Sequence, residues 1–106
     1  MAFYIKQNDT SPSILATLKD ANDTPINLTA SSVRMHMKDI EGTIKIDSAV
    51  EVINAQNGVI RYDWLAADTD TPGTFYVEFE VTYTDGAIET FPNTGKEVVI
   101  ILSELN

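Results

Sequence analysis

The sequence predicts an all-β domain, and three observations carry that prediction. From Gly73 to Pro92 the chain reads GTFYVEFEVTYTDGAIETFP, in which Phe75, Val77, Phe79, Val81 and Tyr83 alternate with Tyr76, Glu78, Glu80, Thr82 and Thr84. An extended chain then puts five apolar side chains on one face and mostly polar ones on the other, the pattern of a half-buried strand. Turn-forming residues recur roughly every 8–12 positions, as expected of short antiparallel strands. No segment shows a sustained helical period; Ala30 to Lys38 is the one stretch where helix competes with strand.

The remaining elements are read in order. Phe3 to Gln7 is a short apolar-rich edge strand ended by the turn formers Asn8 to Pro12. Ser13 to Lys19 sets Ile14, Ala16 and Leu18 against Ser13, Leu15, Thr17 and Lys19, a second strand. After the loop Asp20 to Pro25, Ile26 and Leu28 give two apolar positions two apart. Val33, Met35 and Met37 then alternate with Arg34, His36 and Lys38, placing an apolar row on one face and a basic stripe on the other. Asp39 to Gly42 is a turn, with short strands over Thr43 to Asp47 and Ala49 to Ile53. Asn57-Gly58 is a strong hairpin signal, and Val59 to Trp64 returns with Ile60, Tyr62 and Trp64 on one side.

Asp68-Thr69-Asp70-Thr71-Pro72 cannot continue a strand, so Leu65 to Pro72 is a corner between strands or between sheets. Asp85-Gly86 turns the organising hairpin, and Ala87 to Phe91 returns. A two-residue turn would put Phe91 on the face of Glu80; a three-residue loop with a bulge would put it beside Phe79. Asn93-Thr94-Gly95 is a further turn, and the run Val98 to Leu102 suits a strand covered on both sides, by its own core and by a neighbour. Eight or nine such strands in one domain spanning residues 1–106 predict an immunoglobulin-like antiparallel β-sandwich. There is no cysteine, hence no disulfide and no thiolate metal site.

Sixteen acidic against seven basic residues give a formal net charge of −9. That balance opposes phosphate backbones, so nucleic acid is not an expected partner. The opening Met1 to Lys6 lacks the pattern of a signal peptide, and no apolar run reaches the length of a membrane span. Synthesis and assembly in a cytoplasm, without membrane insertion, are the expectation. The sequons at Asn8, Asn22 and Asn27 carry little meaning without secretion.

No catalytic residue, cofactor site or metal site can be named. His36, the single histidine, shares the solvent face with Arg34 and Lys38, which would stand near Glu78 and Glu80 if those strands are neighbours. Asp68 and Asp70 resemble a fragment of a calcium loop, but the full spacing is absent and a hydrogen-bonded corner is the simpler reading. Trp64 could serve as a carbohydrate-stacking platform, yet its alternation with Ile60 and Tyr62 favours the core. Tyr76 and Phe91, if exposed, are aromatic anchors for a protein interface. With main-chain pairing at an edge by Phe3 to Gln7 or Val98 to Leu102, they make Phe3, Tyr4, Tyr76, Phe91, Val98 and Ile100 the candidate interface residues.

Several stretches, in the same order, resemble the amino-terminal immunoglobulin-like domain of phage baseplate upper proteins. They are Phe3 to Pro12, Ala16 to Asp20, Asn27 to Thr29 leading into Val33 to Met37, Gly58 to Trp64, Asp68 to Thr74, Val81 to Gly86 and Glu89 to Asn93. The resemblance implies a non-catalytic structural protein of a virion tail or baseplate, whose partners are other phage structural proteins or further copies of itself. In that family the domain precedes segments that oligomerise and carry receptor binding; here the chain stops at Asn106, as a freestanding version or an excised domain would. Other readings are a carbohydrate- or host-surface-binding module and a capsid or neck decoration protein, since fold alone does not choose among such uses.

Overall fold

The computed structural model describes residues 2–93, 95 and 97–105; the expected turn at Asn93-Thr94-Gly95 lies partly outside them. Among the described residues there are nine strands: β1 Ala2–Lys6, β2 Ile14–Thr17, β3 Ser32–Asp39, β4 Ile44–Ala49, β5 Glu51–Asn54, β6 Val59–Tyr62, β7 Gly73–Thr82, β8 Ile88–Phe91 and β9 Glu97–Leu102. They form two sheets, a larger one in the order β1-β9-β7-β3-β4, with β8 also on β7, and a smaller one in the order β2-β6-β5. Ala30 to Lys38 is therefore strand, not helix, over its β3 portion, because Val33, Met35 and Met37 fill the core as one inward row.

β7 organises the larger sheet. One of its edges pairs with β3 along eight residues, from Ser32 opposite Thr82 to Asp39 opposite Phe75. Its other edge is shared: Gly73 to Val77 pair with β9, and Phe79 to Thr82 pair with β8. Both apolar rows point inward and meet Ile14, Leu18, Ile60, Tyr62 and Trp64 from the opposite side of the sandwich. This is the two-layer solution expected when each sheet is apolar on one face. The smaller sheet corresponds to the immunoglobulin-type sheet of strands B, E and D, and the opening strand lies on the other sheet, parallel to β9.

Three stretches gain detail from the structure. Ile26 and Leu28 form no strand; Leu28 is nonetheless buried, reached through a Lys19–Pro25 bridge and an Ile26 amide bond to the Leu18 carbonyl. Leu65 to Pro72 crosses between the sheets through one 3-10 turn, Ala66–Thr69. β9 is flanked by β1 and β7 in its sheet but is buried on one face only, with Val99 and Ile101 inward and Val98 and Ile100 half-buried outside. Its apolar run is a core row plus an outer, half-buried apolar row.

Candidate interaction surfaces

The hairpin between β7 and β8 closes with the three-residue loop Thr84-Asp85-Gly86. Tyr83 and Ala87 bond across it (2.8 Å), and Gly86, at φ +88°, donates to the Tyr83 carbonyl (2.9 Å). Glycine is suited to that position because positive φ costs it nothing. The register sets Phe91 directly opposite Phe79, and Phe91 is only 2% exposed. Phe91 thus belongs to the core and is not available as an exposed anchor.

The other candidate residues lie on or beside one surface. Across the outside of the larger sheet, the register aligns Ala2, Val98, Tyr76, Lys38 and Ile44 in one row and Tyr4, Ile100 and Thr74 in the next. Tyr4 is 59% exposed and Ile44 is also exposed, whereas Tyr76, Val98 and Ile100 are partly covered. Phe3 points the opposite way, inward, with its ring centroid 5.9 Å from that of Trp64. Val98 to Leu102 is not an edge, since β1 occupies that side of β9; the edge is β1 itself.

Further along the same face, Asp47 on β4 gathers two members of the basic stripe of β3. Arg34 Nε donates to Asp47 Oδ1 at 2.8 Å, and His36 Nε2 lies 3.2 Å from the same oxygen. Arg34 stands opposite Glu80 and His36 opposite Glu78 in register, but the guanidinium turns to β4. The Arg34 hydrogen bond holds the Asp47 carboxyl below its ordinary pKa. These contacts fix register rather than assemble a reaction centre.

The corner acids are diverted to separate partners. Asp68 is buried, and its Oδ2 accepts from the Tyr62 hydroxyl (2.5 Å) and the Leu65 amide (2.8 Å). Burial, and then the carboxylate beside it, push the Tyr62 hydroxyl well above its usual pKa. Asp70 instead accepts from Lys45 Nζ at 2.6 Å and from the Thr71 hydroxyl at 2.9 Å, and these bonds lower its pKa. No group of three or more His, Cys, Asp or Glu residues converges among the described residues. Trp64 is 3% exposed and stacks edge-on to Tyr62 at 5.5 Å, so it offers no platform to a sugar. Sequence reasoning missed the Tyr62–Asp68 bond, whose only signal was a tyrosine six residues before a corner acid.

An uncharged edge and an apolar groove were also missed. Leu15 on β2 is 66% exposed, and a groove of about 430 Å³ lies between β2 and the β1–β9 side of the larger sheet. The sequence signal was the absence of any charged residue from Thr10 to Leu18.

These features define an immunoglobulin-like sandwich whose distinctive surfaces are an apolar outer sheet face and an open apolar edge. The chain belongs to the BppU N-terminal domain family, the amino-terminal domain of phage baseplate upper proteins, whose model matches residues 2–91. Membership gives it a phage structural role. Among solved structures, the N-terminal domain of phage TP901-1 ORF48 is similar, with a TM-score of 0.69 and 15% identity over 99% of this chain and 86% of that one. CopC from Methylosinus trichosporium OB3b is also similar, with a TM-score of 0.58 and 14% identity over 99% of this chain and 87% of that one. At these identities both likenesses show the fold alone. No curated protein matches.

Proposed function

We propose that this chain is a non-catalytic component of a phage tail baseplate that docks on a neighbouring structural subunit through the outer face of β1, β9 and β7. The observation that carries the docking mode is the register that aligns Tyr4 with Ile100, and Ala2 with Val98 and Tyr76, on the solvent side of a sheet whose other side is already the core. A strand run with both faces apolar uses only one of them for folding. The second face suits a partner surface, with Tyr4 as the exposed aromatic anchor. Residence in the virion follows from the same reading.

The test is Tyr4→Glu, which places a charge on the face without entering the core. Expected is a fall of about tenfold or more in copies per particle, equivalent to about 1.4 kcal/mol of docking energy. The melting temperature should stay near that of the parent chain. Unchanged incorporation would remove this face from the account.

A further inference from the structure

We propose that β2 and its adjoining groove accept an extended, non-acidic segment of a neighbouring virion subunit as a fourth strand of the smaller sheet. The identity of the donor as a virion subunit rests on the baseplate reading; the strand addition rests on the geometry that follows. Leu18 donates its amide to the Gly58 carbonyl, so the pairs 14–62, 16–60 and 18–58 are the hydrogen-bonded ones. Leu15 and Thr17 consequently direct their N–H and C=O groups away from β6, to an edge that no described strand pairs. In an immunoglobulin-type sandwich this edge is where the first strand would pair, but β1 lies on the opposite sheet beside β9.

Free edges are normally guarded by charge. The other edge strands each carry charge: Lys6 on β1, Lys45 and Asp47 on β4, Glu51 on β5 and Glu89 on β8. β2 has no charged residue, nor has any position from Thr10 to Leu18. Beside it runs the groove, with β2 as one wall and the half-buried Ala2, Phe3 and Pro92 among the residues of the other. The larger sheet is wider than the smaller one, and Ala16, the central inward residue of β2, is too small to cover the overhang.

The occupant follows from these walls. Main-chain groups of an added strand would meet those of Leu15 and Thr17, and every second side chain would drop into the groove, so alternate residues must be apolar. A net charge of −9 disfavours acidic side chains along the segment. A second copy pairing β2 to β2 would not fill the groove, because its Ile14 and Leu18 are buried in their own core.

Two measurements on particles assembled with the full chain test this. Hydrogen–deuterium exchange of the peptide spanning Ser13 to Thr17 should show the Leu15 and Thr17 amides exchanging at least about tenfold more slowly in particles than in the free chain. Because the chain has no cysteine, Leu15→Cys can carry a photoactivatable maleimide as a single probe. Its cross-link should fall in an apolar-alternating, non-acidic segment of a different subunit. Equal exchange in particles and free chain overturns the proposal, as does a cross-link to a second copy or to a segment without that alternation. Absence of the parent chain from particles would instead refute the baseplate reading, so the two failures are separable.

Discussion

Phe79 and Phe91 face each other directly across β7 and β8, both buried, and this pairing separates core from surface in the second half of the chain. It commits Phe91 to folding, whereas Tyr4 stands exposed on the outer face of the larger sheet. Phe91→Ala should therefore destabilise the fold by about 3–5 kcal/mol through lost burial and a cavity. Tyr4→Ala should change stability by no more than about 0.5 kcal/mol. Urea denaturation of the two variants checks both; equal losses would contradict the division.

Gly58 adopts φ +68°, and a Cβ there would lie 2.7 Å from the Ile26 carbonyl oxygen and 2.8 Å from that of Leu18. Both obstacles are backbone, so neither can swing away. Gly58→Ala should cost about 3 kcal/mol or more from strain and overpacking. Gly42→Ala, where a Cβ would meet nothing within 4 Å, should cost less although its φ is also positive. Paired thermal melts read the difference.

Tyr62→Phe removes the hydroxyl that satisfies buried Asp68 and should destabilise by about 1–3 kcal/mol. The loss should appear as a shifted denaturant midpoint with an unchanged slope, since the Leu65 amide still holds the turn.

Alkaline pH should weaken the fold. Burial and the Glu89 carboxylate raise the Tyr83 hydroxyl from 10.0 to about 12, and Tyr62 is raised as well. Between pH 10 and 12 the unfolded chain releases protons that the folded chain retains, so the contribution is whole below pH 10 and lost as pH rises through about 12. Tyr83→Phe should flatten the Tyr83 part of this decline, measured as melting temperature against pH. Asp47 and Asp70, held low by Arg34 and Lys45, act oppositely: their contribution is present above the ordinary carboxylate pKa and fades as pH falls.

Much of the fold was legible because a strand's period of two is local. The alternations of Val33 to Met37 and Phe75 to Val81 state which side chains face inward, and the structure buries those residues. The β7–β8 register was not legible, since one residue of loop length moves Phe91 to the opposite face and Asp85-Gly86 suits either loop. Nor was the role of β9: a run of Val and Ile looks the same whether its second face meets another layer or a partner. The parallel pairing of β1 with β9 joins residues nearly a whole chain apart, and no local signal reports it. Of the candidate surface, the aromatic and aliphatic residues were visible as types; their alignment into rows came only from the register.

A sandwich built into a phage baseplate is counted most simply by quantitative mass spectrometry of purified particles from the source strain. Its copy number should match that of the tail-tip proteins. A capsid-like copy number, or absence from particles, would contradict the baseplate reading.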